Sequence, residues 1–139
     1  MNRLLASLLF SVFVSGAALA AANPPPTDEL AQRLTAMSVR QELAENDPRV
    51  AQTRKLLDKA VKVSHEEPVA IAAACSRYAG HLFDSIHVSA TALELLEALA
   101  TFGKAGKPIS EMLQGYVAAR KAAPARSHVE AMAALGGKK

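Results

Sequence analysis

The chain has 139 residues and a formal charge of +3, and half of its residues are hydrophobic while only 4% are aromatic. This composition supports one packed domain and is too apolar for a disordered polyelectrolyte. A single cysteine excludes a disulfide within the chain and a zinc site made of cysteines alone, and the absence of tryptophan argues against a surface that stacks on nucleic-acid bases. We therefore expect no nucleic-acid partner.

Residues 1–20 have the three parts of a secretory signal peptide. Arg3 supplies the positive start, residues 4–14 are largely apolar, and small residues precede a cleavage point after Ala20, or alternatively after Ala22. An uncleaved anchor is the alternative, since the apolar segment and its alanine-rich end are together just long enough to span a bilayer. The pattern predicts a periplasmic or secreted protein that is not an integral membrane protein after cleavage.

Residues 21–27 are predicted to be an extended, proline-rich spacer, because each proline fixes φ and lacks an N–H. Beyond this spacer, apolar residues recur at intervals of three and four positions, which is the period of amphipathic helices. We expect an all-α compact bundle of five or six short amphipathic helices over residues 28–135, followed by a flexible tail at 136–139.

The first two helices are predicted on either side of an Asp-Pro break. The first runs from Asp28 to Ala44 with Thr27 as its N-cap. The second runs from Pro48 to Val63, because proline suits the first helical position and the aspartate before it is a good cap. The inward face of the first helix is expected to carry Leu30, Leu34, Met37 and Ala44.

The third helix is predicted over residues 68–86. Its start is given either by a capping box that begins at Ser64 or by Pro68 itself. Because Cys75 lies on the apolar face, we expect its thiol to be buried rather than reactive or bound to a second chain. That face consists of Ile71, Cys75, Tyr78, Leu82 and Ile86, flanked by Ala79 and Phe83.

Three further helices complete the prediction. A very apolar helix over residues 92–102, capped by Thr91, is expected to be central, and Gly103 to follow it in the left-handed conformation. The next helix covers residues 108–122, and Ser127 caps a short last one. The expected inward positions are Ile109, Met112, Leu113, Tyr116 and Val117 in the fifth helix, and Val129, Met132 and Ala133 in the last.

Among the patterns in the sequence, two groups of lysines give the strongest indication of a binding surface. Lys55, Lys59 and Lys62 share one face of the second helix, and Lys104 and Lys107 lie in the connection before the fifth helix. Such a run is ordinarily a solvated face, but it also attracts an acidic partner or anionic surface in a salt-dependent way. These five lysines are the candidate partner-binding residues.

A divalent metal site is a weaker alternative. His81, Asp84 and His87 are spaced by three residues along the third helix, so Asp84 is within reach of either histidine. The two histidines are six positions apart and point in different directions, and Arg77 adds a positive charge nearby. A metal site needs three or four converging ligands, so we expect none here.

A haem site is the other cofactor alternative. Met37 and His128 are the candidate axial ligands, and the chain has no Cys-x-x-Cys-His motif for covalent attachment. We expect neither haem nor another cofactor.

No catalytic motif is recognisable in the chain. We therefore expect an exported, non-catalytic helical protein that binds another protein or other macromolecule of the envelope or exterior. A bundle that carries haem or a divalent metal is the alternative.

Overall fold

The computed structural model describes residues 26–137, where all regular secondary structure is α-helical, and it confirms the expected bundle. The predicted signal peptide and most of the proline-rich spacer lie outside the described residues. The helices are α1 (Thr27–Val39), α2 (Pro48–Ser64), α3 (Pro68–Ile86), α4 (Ala92–Phe102), α5 (Ile109–Ala122) and α6 (His128–Gly136).

Local capping explains where three of these helices begin. Asp47 accepts a hydrogen bond from the Arg49 amide, and the Arg49 side chain, through its own hydrogen bond, lowers the pKa of Asp47 from 3.8 to about 2. Complete capping boxes start α4 at Thr91 and α6 at Ser127, each with the glutamate three residues later. These starts are confirmed because each depends on residues adjacent in the sequence.

Two predicted boundaries are wrong. Thr27 is the first residue of α1 rather than its cap, and α1 ends at Val39 instead of Ala44 because Arg40 turns left-handed with φ 56°. Of the two starts considered for α3, the structure has the one at Pro68. Ser64 belongs to α2, where its hydroxyl donates to a carbonyl one turn earlier.

Left-handed residues end the first three helices, and none of them is glycine. Arg40, His65 and His87 have φ values of 56°, 58° and 54°. The left-handed conformation predicted for Gly103 is wrong, since its φ is −57°. Glycine is needed there for space, because a Cβ would lie 2.8 Å from Cγ1 of Val63 and even closer to a carbonyl of α4.

Helix α4 is the centre of the bundle, as its apolar sequence predicts. It contacts every other helix, and four of its residues are buried. Cys75 is fully buried beside this core, and burial raises the pKa of its thiol from 9.0 to about 12. Among residues 26–137, no helix is long and apolar enough to cross a membrane.

Several residues expected to face inward lie on the surface. Met37 is 70% exposed and Val129 is 76% exposed, while Phe83, Ala44 and Ala133 are exposed as well. Ala44 lies beyond the end of α1, and α6 instead packs through its buried Ala131 and the half-buried Met132 and Leu135.

Candidate functional site

The lysines of α2 form an open positive face. Lys55, Lys59 and Lys62 are all exposed, and none of them lies within salt-bridge distance of an acidic side chain of residues 26–137. Asp58 is exposed on the same helix and is the acidic group within this run. The face therefore keeps three unpaired positive charges in water.

The bundle brings the second lysine segment to the end of α2. Val63, in the last turn of α2, lies against Gly103, which directly follows α4. Lys62 precedes the first of these residues and Lys104 follows the second. We call Lys55, Lys59, Lys62, Lys104 and Lys107 together the basic surface.

The two lysines of the α4–α5 connection differ in their pairing. Lys107 donates over 2.7 Å to Glu111, which lies in the first turn of α5, and this ion pair offsets its charge. Within the described part of the chain, Lys104 has no acidic partner, and its backbone N–H points to the sulfur of Met112 at 3.1 Å. The free charge of this connection is therefore that of Lys104.

A cleft of about 340 Å³ opens beside this connection and is bounded by α4, α5 and α6. We call it the α4–α5–α6 cleft. Its apolar walls include half-buried residues from all three helices. These are Phe102, Met112 and Leu135. The cleft is also lined by Ala98, Gly103, Gly115 and Tyr116, and by the charged residues Lys104, Lys107 and Glu111.

Behind the cleft, a chain of hydrogen bonds joins the last three helices. Arg120 Nη1 contacts the Tyr116 hydroxyl at 2.5 Å, and that hydroxyl contacts Nδ1 of His128 at 2.8 Å. Nε2 of His128 in turn lies 3.2 Å from a carboxylate oxygen of Glu97. Glu94 supplies the counter-charge, 3.5 Å from Arg120.

The hydrogen bonds that link these side chains run in one direction, from Arg120 to Glu97. Arg120 has only donors and the Glu97 carboxylate has only acceptors, so with a neutral imidazole Tyr116 donates to Nδ1 of His128 and Nε2 donates to Glu97. Burial is the main reason why the pKa of Tyr116 rises from 10.0 to about 12. The phenol is thus held neutral as a structural link, and its hydroxyl is fully engaged.

The sequence analysis did not identify Arg120, which is only 5% exposed. The sequence does contain an indication of its role. Arg120 lies one helical turn after Tyr116, a predicted core residue whose buried hydroxyl requires a hydrogen-bond partner. Its guanidinium also donates to the carbonyl of Arg126 in the α5–α6 turn at 2.5 Å.

The candidate metal ligands do not converge. Among residues 26–137, no three His, Cys, Asp or Glu side chains are placed to hold one ion. His81 is exposed beside Arg77 in a separate cleft of about 600 Å³, and His87 ends α3, where its ring stands edge-on to Phe83. Asp84 is exposed between them.

The candidate haem ligands lie in different surroundings. Met37 borders a depression formed by α1, α3 and the α3–α4 connection, and His128 is not among the residues that line it. Both ring nitrogens of His128 are already engaged, by Tyr116 and Glu97. The structure therefore does not bring these two side chains together as an axial pair.

Comparisons with known proteins give no assignment: no protein-family model matches the chain, and neither curated proteins nor solved structures give a match.

Proposed function

We propose that this protein is exported and acts without catalysis, by binding an acidic protein or other acidic macromolecule of the envelope or exterior through its basic surface. The signal-peptide pattern of residues 1–20 supports the export and a periplasmic or secreted location. The observation that carries the binding proposal is the meeting of two lysine segments where Val63 lies against Gly103.

Lys62 and Lys104 flank this junction in the chain, Lys55 and Lys59 lie earlier on the same face of α2, and like charges on one surface add to its positive potential. Lys55, Lys59, Lys62 and Lys104 lack salt bridges with residues 26–137, so their charges remain available to a partner. Exposed charges of this kind speed encounter and select a partner of opposite sign, and salt screens them over about 8 Å at physiological ionic strength.

A charge-matched pair of variants tests the binding proposal. One variant replaces Lys55, Lys59 and Lys62 by Gln. The control removes the same charge from exposed positions on three other helices, as Arg33→Gln, Arg77→Gln and Lys121→Gln. Each is immobilised and exposed to solubilised envelope fractions and, separately, to soluble polyglutamate as a defined acidic probe.

We expect wild type and the control to retain polyglutamate and the same envelope component at low salt, and to release both as salt rises. The lysine variant should retain neither. Equal retention by the two variants, or no retention by wild type, would contradict the proposed function. Terminal sequencing of the exported protein should give Ala21 or Asn23 as its first residue, and recovery of Met1 would contradict processing.

A further inference from the structure

We propose that the α4–α5–α6 cleft binds a small amphipathic carboxylate, with its alkyl chain inside the cleft and its acidic group at Lys104. The cleft shares Lys104 and Lys107 with the basic surface, but its apolar part is separate from the α2 lysines, and the inference does not depend on the macromolecular contact proposed above. The cleft volume of about 340 Å³ falls within the range of small-molecule sites, which is roughly 300–1,000 Å³.

The inner part of the cleft suits an alkyl chain. Phe102, Met112 and Leu135 are each half-buried, so they present apolar surface that is neither fully covered by the fold nor freely exposed. The ring of Phe102 lies beside Gly136 of α6, where an added Cβ would be at ordinary contact distance, 3.5 Å. Covering these walls with an alkyl chain removes apolar area from water.

The tyrosine hydroxyl at the cleft is not free for a ligand. Tyr116 lines the cleft, and its hydroxyl is already bonded to Arg120 and His128. The charged side chains at the cleft are those of Lys104, Lys107 and Glu111. We therefore place the acidic group of a ligand beside the lysines and its apolar body against the apolar walls.

Gly115 leaves room beside the cleft. It is exposed in the middle of α5 and lines the cleft, a Cβ added there would meet nothing within 4 Å, and its backbone is not left-handed. The fold therefore does not require glycine at this position, although glycine is a poorer helix former than alanine. A large side chain introduced here tests whether the cleft is used.

The charges at the mouth match a single carboxylate. Lys107 is neutralised by Glu111, whereas Lys104 is unpaired among the described residues. One positive charge beside an apolar cleft favours a ligand with one acidic group and an apolar body. Because Lys107 is paired with Glu111, Lys104 is left, within residues 26–137, as the free cation for one acidic group on the ligand.

Decanoate is the probe, with decanol as its uncharged analogue, and binding is followed by calorimetry and by NMR shifts of the cleft residues. Gly115→Leu adds a large apolar side chain at a residue that lines the cleft. Gly80→Leu is the matched control, since Gly80 is also inside a helix with open space around it, but it does not line the cleft. Leucine favours helix over glycine at both positions, so both variants should fold, which thermal unfolding checks.

We expect wild type and Gly80→Leu to bind decanoate equally and to shift the resonances of Phe102 and Leu135, and Gly115→Leu to bind none. Lys104→Gln should weaken decanoate by up to about fivefold and leave decanol unchanged, as for a single exposed ion pair. Absence of decanoate binding to wild type, unchanged binding in Gly115→Leu, or shifts confined to another surface would overturn the proposal. Replacing Lys55, Lys59 and Lys62 should leave decanoate binding intact, so the two proposals fail separately.

Discussion

Arg120 donates a hydrogen bond to the hydroxyl oxygen of Tyr116, one turn earlier on α5, over 2.5 Å. Both residues are buried, at 5% and 1% exposure. A buried guanidinium requires compensation, which Glu94 from α4 and the Arg126 carbonyl of the α5–α6 turn provide. The pair therefore stabilises the docking of α4, α5 and α6 on one another.

Removal of one hydroxyl should weaken this docking. Tyr116→Phe deprives His128 of its donor and Arg120 of an acceptor, so we expect a loss of about 1–3 kcal/mol in the free energy of unfolding. Tyr78→Phe is the control, because its hydroxyl makes only a 3.4 Å contact to the Ser110 carbonyl at an exposed position. Urea denaturation of both variants checks the prediction, and equal losses would contradict it.

Alkaline pH should destabilise the protein through two buried acids. The pKa values of Cys75 and Tyr116 rise from 9.0 and 10.0 to about 12 on folding, so the unfolded chain releases these protons first as pH increases. Stability is then complete below about pH 9 and falls toward pH 12, by about 1.4 kcal/mol per pH unit for each group that titrates.

Denaturation midpoints between pH 8 and pH 11.5 measure this loss. Cys75→Ala removes the contribution of the thiol, so its stability should decline less steeply above pH 9 than that of wild type. Identical slopes for the two proteins would show that the thiol does not contribute.

The space at Gly103 should tolerate no side chain. Gly103→Ala places a Cβ against Val63 and the end of α4, and we expect it to lower stability by about 1–3 kcal/mol through overpacking. Gly80→Ala, where a Cβ meets nothing within 4 Å, should raise stability by up to about 1 kcal/mol. Thermal unfolding compares the two, and a stabilised Gly103→Ala would refute the close approach of α2.

The left-handed cap of α2 offers a stabilising substitution. His65 has φ 58° and is exposed, so His65→Gly should relieve backbone strain and raise stability by about 1 kcal/mol. His65→Ala keeps the strain and serves as the control, with little change expected. The same urea titration measures both, and a gain in the alanine variant would assign the effect to the side chain instead.

Local sequence determined much of this fold. The bounds predicted for α4, residues 92–102, are those observed, because its capping box and its apolar run are both contained in adjacent residues. Cys75 is buried as predicted because its own helical face is apolar. The bounds and the buried face of a helix can thus be predicted from the sequence wherever the contacts that determine them are local.

The exposure of individual side chains was harder to predict from the sequence, because it depends on which residues another helix covers. Met37 has the right spacing for the core, but α1 ends two residues later and leaves it 70% exposed. Arg120, which the sequence analysis did not identify, is the opposite case: its charge near a helix end is enclosed by α4 and the α5–α6 turn. The lysine segments were recognised, but their meeting depends on how α2 packs against α4.

Helices adjacent in the chain also pack together in space: α1 on α2, α3 on α4 and α5 on α6. Each such hairpin closes over a short connection, and folds dominated by contacts of this kind assemble within about microseconds to milliseconds. A cellular factor that binds this polypeptide in an extended state therefore competes with rapid closure of the hairpins.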